Sequence, residues 1–174
     1  MHGLKHIVLL FLVGMGMGTS PTGAADREIL VGEITPQDLR EVPYGGWYRE
    51  HYEDYEVQTA PVSELPALLE GVDVIIVMGT WCPDSQRQVP PFYKILTAAG
   101  VAMSRVDLWA VDMDFAAPDL DVAALGITNT PTFIFSRNGK ELNRIVESPV
   151  ESLEQDMLAI LKGAAYRHAK LAAD

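Results

Sequence analysis

The sequence predicts an α/β protein in which helices and a central mixed β-sheet form three layers, α/β/α. Residues 72–78 are an apolar, β-branched run, and residues 104–113 contain an alternating, apolar run. A helical pattern lies between them, which is the order of a parallel strand, helix, strand crossover. Two more apolar runs, residues 131–135 and 141–146, flank an Asn-Gly pair, a strong signal for an antiparallel hairpin. Parallel and antiparallel pairing together indicate one mixed sheet with helices packed on it.

The region before the first of these strands carries two helical patterns. Residues 47–55 repeat aromatic side chains at intervals of three and four, which is compatible with a short amphipathic helix, although we favour a surface segment whose tyrosines pack on the domain. Residues 62–71 are predicted to be helical, with Ser63 as the candidate N-cap and Gly71 at the end. The strand that follows, residues 72–78, is expected to be buried on both faces.

The remaining elements follow the same patterns. A long helix is predicted over residues 86–99; Pro83 suits its first turn, and Pro90 and Pro91 inside it are expected to kink it, because proline removes an amide donor. The three later elements are a short helix at 120–125, a hairpin turn at Asn138-Gly139, and a final helix over 150–169.

The first 25 residues have the composition of a secretory signal. Lys5 gives a positive start, Ile7–Val13 is an unbroken apolar run, and small residues lead to Ala25, after which we predict cleavage. A membrane anchor is the alternative, but the apolar run is shorter than the roughly 20 residues of a spanning helix. We therefore expect an exported protein, periplasmic or secreted, without stable membrane insertion.

Cleavage would leave residues 26–174, a usual size for one domain. We divide this single domain into an N-terminal extension, residues 26–60, and a core, residues 61–174. The formal net charge of the chain is −11, which argues against nucleic acid and anionic membrane surfaces as partners. Cys82 is the only cysteine, so the chain cannot form an internal disulfide, and its stability must come from burial.

Three parts of the sequence, in this order, resemble the thioredoxin superfamily. They are the segment Thr-Trp-Cys-Pro-Asp-Ser at 80–85 after a buried strand, the segment at 127–133 with its Thr-Pro pair, and the hairpin turn before 145–146. Together they span residues 72–165, and the resemblance implies a thioredoxin-like fold. More narrowly, the chain is similar to a group of bacterial thioredoxin-family proteins that have this CxxS active-site segment.

The resemblance implies that Cys82 is the nucleophile. Unpaired amides and the positive end of a helix dipole favour a thiolate at a helix start, although an inert buried thiol remains the alternative. Ser85 lies on the same side of the first turn and could donate its hydroxyl to the sulfur. Asp84 disfavours a second negative charge and Arg87 could offset it, so both would modulate the acidity of the thiol, with the net sign left open.

The substrate-binding surface is also implied by the resemblance. Thr130-Pro131 resembles the cis-proline site of the family, which lies opposite Cys82 and whose backbone at Thr130 could pair with an extended substrate segment. An ordinary trans proline at a strand start is the alternative. Trp81 and Pro83 flank the nucleophile and complete the predicted surface.

Two departures from the family concern the release of a covalent intermediate. Ordinary thioredoxins carry a second cysteine where this chain has Ser85, and a buried aspartate six residues before the nucleophile, where this chain has Ile76. The second thiol normally releases the mixed disulfide by intramolecular attack. We therefore expect release to need an external thiol.

No metal site and no cofactor are predicted. One cysteine leaves too few thiolates for a protein-only zinc or iron–sulfur site. His51 and His168 lie in polar segments, which disfavours a Cys-His dyad. An acidic cluster without a calcium-loop pattern is interpreted as a solvated loop; its members are Asp112, Asp114, Asp119 and Asp121.

Two functions remain open. The first is monothiol thiol–disulfide exchange through Cys82, with protein or low-molecular-weight thiols and disulfides as partners. The second is a non-catalytic binding module that holds an extended peptide segment around Trp81, Cys82 and Pro131. We favour the first because of where Cys82 lies. The oligomeric state is not predicted.

Overall fold

A computed structural model describes residues 28–172, so the predicted signal peptide, residues 1–25, lies outside the described residues. The five strands are β1 (Gly32–Ile34), β2 (Val72–Met78), β3 (Val106–Ala110), β4 (Thr132–Arg137) and β5 (Lys140–Val146). The α-helices are α1 (Gly45–Asp54), α2 (Thr59–Val62), α3 (Leu65–Leu68), α4 (Pro83–Ala98), α5 (Leu153–Leu161) and α6 (Ala169–Ala172). Short 3-10 helices occupy Asp38–Arg40 and Met103–Arg105.

The strands form one mixed sheet in the order β1-β3-β2-β4-β5. β2 and β3 are parallel, as expected for strands joined by the crossover helix α4, and the other three pairings are antiparallel. The hairpin between β4 and β5 turns at Asn138 and Gly139, both with positive φ, of 53° and 74°. This is the backbone of a type I′ turn, so the mixed sheet and its hairpin are confirmed.

The core lies on both faces of the sheet, because successive side chains of β2 point to opposite sides. On one face, Ile76 is fully buried and pairs with Leu108 and Phe133 under helices α4 and α5. On the other face, Val77 belongs to a smaller apolar cluster with Ile134 and with residues of the segment between β3 and β4. β2 is therefore the central strand that the sequence predicts.

The N-terminal segment contributes to the same sheet and core. β1 pairs with β3 at the sheet edge, and α1 packs against α4. Tyr48 is only 2% exposed, and the Arg40 guanidinium lies 5.5 Å from the centre of its ring. The aromatic repeat therefore forms the amphipathic helix, and the surface segment that we favoured was wrong.

Two buried carboxylates on α5 connect distant parts of the chain. Glu154 accepts hydrogen bonds from the Tyr55 hydroxyl at 2.7 Å and from the Gln58 backbone at 3.1 Å. Asp156 accepts from the Tyr166 hydroxyl at 2.7 Å and from two backbone amides just before the helix. Buried charges need such partners, so these contacts hold both the N-terminal segment and the C-terminal tail on α5.

The predicted helix over residues 62–71 was wrong in its extent. Two short helices, α2 and α3, stand in its place, and Ser63 ends α2 rather than capping a helix start: its hydroxyl donates to the Ala60 carbonyl at 2.8 Å. Pro66 lies in the first turn of α3, where a missing amide costs nothing. The proline therefore favours a new helix start inside the predicted one.

Two other predicted helices also differ from the structure. Residues 120–125 form hydrogen-bonded turns, in which the Asp121 carboxylate accepts from the Ala124 amide and competes with helical bonding. The final helix ends at Leu161, because Gly163 takes a positive φ of 70° that stops it. Helix α4, by contrast, begins at Pro83 and continues without interruption through both internal prolines to Ala98.

Among residues 28–172, no helix combines the length and the apolar composition that a membrane crossing requires.

Candidate active site around Cys82

Cys82 lies where the central strand passes into the crossover helix. After β2 ends, a tight turn forms in which the Cys82 amide donates to the Gly79 carbonyl at 3.0 Å. Cys82 has an extended backbone and is the N-cap of α4, and its carbonyl accepts from the Gln86 amide at 3.1 Å. Pro83 follows at the first helical position, where its fixed φ suits a helix start. The local sequence therefore places the thiol at the N-terminus of α4, as predicted.

The thiol contacts the start of β4 across the sheet end. The Cys82 Sγ donates a hydrogen bond to the Thr130 carbonyl oxygen at 3.1 Å, and the side chain is only 8% exposed. The Thr130-Pro131 peptide is cis, as expected, and both residues are buried. The structure therefore brings Cys82, Thr130 and Pro131 together, although the Thr130 carbonyl is occupied by the thiol rather than free for a substrate.

Ser85 is close in sequence but serves another partner. Its side chain is fully buried, and its Oγ accepts a hydrogen bond from the Gly79 amide at 3.2 Å. Among the hydrogen bonds of residues 28–172, none joins Ser85 to Cys82. The expected donation to the sulfur is therefore absent, because the hydroxyl points back to the turn that ends β2.

Asp84 and Arg87 form an ion pair with each other on the first turn of α4. The pair is partly exposed, so it is screened by solvent. Lys170 of α6 also lies near this turn: its pKa is raised, mainly by its hydrogen bond to Glu147 and to a smaller extent by the charge of Asp84. The two predicted modulators thus neutralise one another beside the thiol.

Trp81 is held on the side away from Thr130. Its indole N–H donates to the Val111 carbonyl at 3.0 Å, and the Phe115 ring meets it edge-on with 6.1 Å between centroids. A Cβ built at Gly79 would lie 2.6 Å from the indole, so the absence of a side chain there makes room for the ring. None of these three supporting residues was predicted from the sequence, and two of them lie far away in the chain.

The cis-proline segment is braced by a polar network that the sequence analysis also missed. The Glu147 amide donates to the Pro131 carbonyl at 2.8 Å, and the Glu147 carboxylate accepts from the Asn129 side chain at 2.6 Å. Lys170 completes the network with an ion pair to Glu147 at 2.6 Å. This network connects the C-terminal tail to the segment that faces the thiol.

A cavity of about 360 Å³ lies on the Trp81 side of the site. Its walls come from the turn that carries Trp81 and from the N-terminal segment, with Tyr44 and Trp47 among the lining residues. The aromatic repeat of the N-terminal segment was the available signal, but its position next to the active-site turn depends on the tertiary fold.

Within the described part of the chain, no group of three or more His, Cys, Asp or Glu side chains is placed to hold a metal ion. Pro83, which was predicted to belong to the substrate-binding surface, is exposed beside Cys82.

Comparisons with known proteins agree with this architecture. No protein-family model matches the chain. A TPR repeat-containing thioredoxin of Arabidopsis thaliana is 35% identical over 103 residues, which are 59% of this chain and 24% of that protein, so the chain spans about a quarter of the length of this relative.

The chain has a thioredoxin-like fold.

The solved structures that are similar to the chain share little sequence with it. A protein of unknown function from Pseudomonas aeruginosa has a TM-score of 0.51 at 17% identity, covering 77% of this chain and 84% of its own. An HIV epitope scaffold has a TM-score of 0.50 at the same identity and coverage. Mitochondrial thioredoxin 3 of Saccharomyces cerevisiae has a TM-score of 0.33 at 23% identity, over 55% of this chain and 86% of its own.

Within this thioredoxin-like fold, the two positions that depart from ordinary thioredoxins are both buried. Ile76 is fully enclosed in β2, where an ionisable acid would need a partner, and Ser85 is fully enclosed on α4. With a single cysteine in the sequence, the chain itself offers no second thiol.

Proposed function

We propose that this chain is an exported, thioredoxin-like protein of the Trp-Cys-Pro-Asp-Ser type that exchanges thiols and disulfides through Cys82 as a monothiol. The observation that carries the proposal is the position of Cys82, at the start of α4 and 3.1 Å from the Thr130 carbonyl beside a cis-proline. A helix N-terminus favours a thiolate nucleophile. Export is supported by the composition of residues 1–25.

The proposed exchange has two balanced steps. The Cys82 thiol gives its proton to solvent, and the thiolate attacks one sulfur of a substrate disulfide. A new disulfide forms between Cys82 and that sulfur as the original S–S bond breaks, and the other half leaves as a thiolate. An external thiolate then attacks the captured sulfur, forms a disulfide with it and returns Cys82 as a thiolate, so no separate oxidant or reductant is needed.

The surrounding residues would each serve a separate part of this exchange. The contact with the Thr130 carbonyl holds the reduced thiol in place and is released when the sulfur attacks. Trp81 and Pro83 form the surface on which the substrate lies, whereas Pro131, also predicted to contact it, is buried behind this surface. Ser85 acts as a positioning residue that holds the turn before the helix through the Gly79 amide.

The test uses a peptide in mixed disulfide with glutathione, and glutathione as the external thiol. We expect turnover by the wild type that rises with glutathione concentration, and none above background for Cys82→Ala. Without external thiol, mass spectrometry should detect a covalent adduct on Cys82. Equal rates for wild type and Cys82→Ala would overturn the proposal.

A binding module is the second candidate, favoured by one observation. Cys82 is 8% exposed and its thiol is already engaged, an arrangement that a purely structural thiol would share. This candidate predicts that Cys82→Ser binds extended peptides as tightly as the wild type and that no covalent adduct forms.

Export has a separate test. N-terminal sequencing of the protein recovered from the periplasm or the medium should begin at Asp26. Recovery only from the cytoplasm with the N-terminus intact would contradict export.

A further inference from the structure

The cavity beside Trp81 has the size of a specific side-chain site. Its volume of about 360 Å³ lies in the lower part of the range of small-ligand pockets, roughly 300–1,000 Å³. It lies between the active-site turn and the N-terminal segment on either side of β1, and Trp81 directly precedes Cys82. Thr80 and Trp81 just before Cys82, and Gln86 just after it, line the cavity, so a group bound there would lie close to the turn that carries Cys82.

Three polar donors of the cavity walls are already engaged in hydrogen bonds. The Trp81 indole N–H donates to the Val111 carbonyl, the Gln86 amide donates to the Thr80 carbonyl at 2.8 Å, and the Tyr44 hydroxyl donates to the Glu28 carbonyl at 2.7 Å. With these donors engaged, the aromatic residues of the walls present mainly their ring faces.

The remaining chemistry of the walls is that of a cation site. Three aromatic side chains, from Tyr44, Trp47 and Trp81, line the cavity together with the acidic residue Glu28, and none of its lining residues is Lys or Arg. The charge of Glu28 also adds to the burial that raises the pKa of Tyr44. Aromatic faces and a carboxylate attract ammonium and guanidinium groups.

The walls are also held together in advance. The Leu30 amide donates to the Thr80 hydroxyl at 3.3 Å, which joins the N-terminal segment to the active-site turn next to Cys82. The hydrogen bond from the Tyr44 hydroxyl to the Glu28 carbonyl joins Glu28 to the start of α1. A site formed before the ligand arrives loses less entropy on binding.

We propose that this cavity is a subsite for a Lys or Arg side chain of a substrate polypeptide, located next to the sulfur that Cys82 attacks. This inference rests on the proposed function and names its substrate class: basic, cysteine-containing polypeptides. The formal net charge of −11 adds a long-range attraction for such partners.

The first experiment compares three mixed-disulfide peptides that are identical except for Lys, Gln or Glu next to the cysteine. We expect the Lys peptide to have a KM roughly tenfold below that of the Glu peptide, with a similar kcat. Only the lysine side chain can make the cation–π and solvent-screened charge contacts of the cavity. Glu28→Gln and Trp47→Ala should each reduce this preference several-fold, and Trp47→Phe should restore part of it. The matched control is Glu50→Gln, an exposed acid on α1 outside the cavity.

A second measurement separates this inference from the proposed function. The same peptides with serine in place of cysteine are titrated against the Cys82→Ser variant, which cannot form a disulfide. Selective binding of the Lys peptide without turnover by the wild type supports the subsite and overturns the exchange activity. Turnover without a charge preference supports the activity and overturns the subsite, as does a preference that Glu28→Gln and Glu50→Gln reduce equally.

Discussion

The thiol of Cys82 donates a hydrogen bond to the backbone carbonyl of Thr130, 48 residues later in the chain. The bond joins the start of α4 to the segment before β4 and satisfies a buried carbonyl. We expect Cys82→Ala to lower the free energy of unfolding by about 1 kcal/mol more than Cys82→Ser, because serine keeps a donor within reach and is a good N-cap. Urea denaturation measures the difference, and equal stabilities would show that the bond contributes nothing.

Ser85→Cys should convert the monothiol site into a dithiol site. The side chain is buried one helical turn after Cys82, and cysteine is similar in size to serine, so the fold should survive with a loss of about 1 kcal/mol from the Gly79 hydrogen bond. We expect an internal disulfide under oxidising conditions and release of captured substrate without external thiol.

Mass spectrometry and the dependence of turnover on thiol concentration measure these changes. Ser85→Ala is the control, since it loses the same hydrogen bond without adding a thiol. If Ser85→Cys still requires external thiol for every turnover, the two side chains do not meet as the helix geometry indicates.

Gly79→Ala should displace the Trp81 indole. The added methyl group would lie 2.6 Å from the ring, so the ring must move and lose its bond to the Val111 carbonyl. We expect a loss of about 1–3 kcal/mol, typical of overpacking, together with a shift in tryptophan fluorescence. The loss of stability caused by Gly79→Ala should fall by at least half when the substitution is made in a Trp81→Ala background. An undiminished loss in that background would mean that the backbone, and not the indole, is responsible.

Two adjacent glycines test how the N-terminal segment packs. A Cβ at Gly45 would lie 2.2 Å from the Arg40 carbonyl oxygen, whereas a Cβ at Gly46 would meet nothing within 4 Å. We expect Gly45→Ala to destabilise the protein by about 2 kcal/mol or more. Gly46→Ala should be neutral or stabilising by roughly 0.5–1 kcal/mol, because alanine favours a helix. Similar thermal stabilities for the two variants would contradict this packing of α1.

Alkaline pH should destabilise the protein, partly through ionisation of the Tyr166 phenol. Burial, its hydrogen bond to Asp156 and the charge of that carboxylate raise the pKa of Tyr166 above its ordinary value of 10.0. The folded phenol keeps its proton while the unfolded one loses it, so the stability from this group is present below pH 10 and is lost as the pH rises toward the folded pKa. Each such group adds a slope of up to about 1.4 kcal/mol per pH unit.

Urea denaturation between neutral pH and pH 11 measures this effect. In Tyr166→Phe, the free energy of unfolding should fall less steeply above pH 10. The difference in slope should correspond to about one proton released on unfolding. Tyr52→Phe is the control, because the Tyr52 hydroxyl makes none of the hydrogen bonds found among residues 28–172. Parallel declines for wild type and Tyr166→Phe would contradict the raised pKa.

The differences between the predicted and observed helices share a physical cause. Ser63, Asp121 and Gly163 each lie within a helical pattern, and each ends or replaces the helix through a local contact or backbone conformation. An apolar periodicity does not register such contacts, because side-chain capping competes with the backbone at single positions.

The candidate site also combines features that the sequence predicts with features that depend on the tertiary structure. Cys82 and the Thr130-Pro131 pair were identified from sequence, because helix-start chemistry and a recognisable motif are local properties. The partner of Ser85 was not, since its hydroxyl can donate to the Cys82 sulfur or accept from the Gly79 amide, and only the packed turn selects the second. The supports of Trp81 and the walls of the cavity come from segments about 30 to 50 residues away.

The sequence by itself determined the order of the main strands, the central position of β2, the hairpin turn and the single thiol at the start of α4. These features follow from side-chain periodicity, turn chemistry and residue counts, which act over a few neighbouring positions. Only the tertiary structure decided that α1 packs on α4, that the thiol bonds to Thr130 and that an aromatic cavity adjoins Trp81. Such contacts depend on burial and on which distant segments meet, and no local pattern encodes that choice.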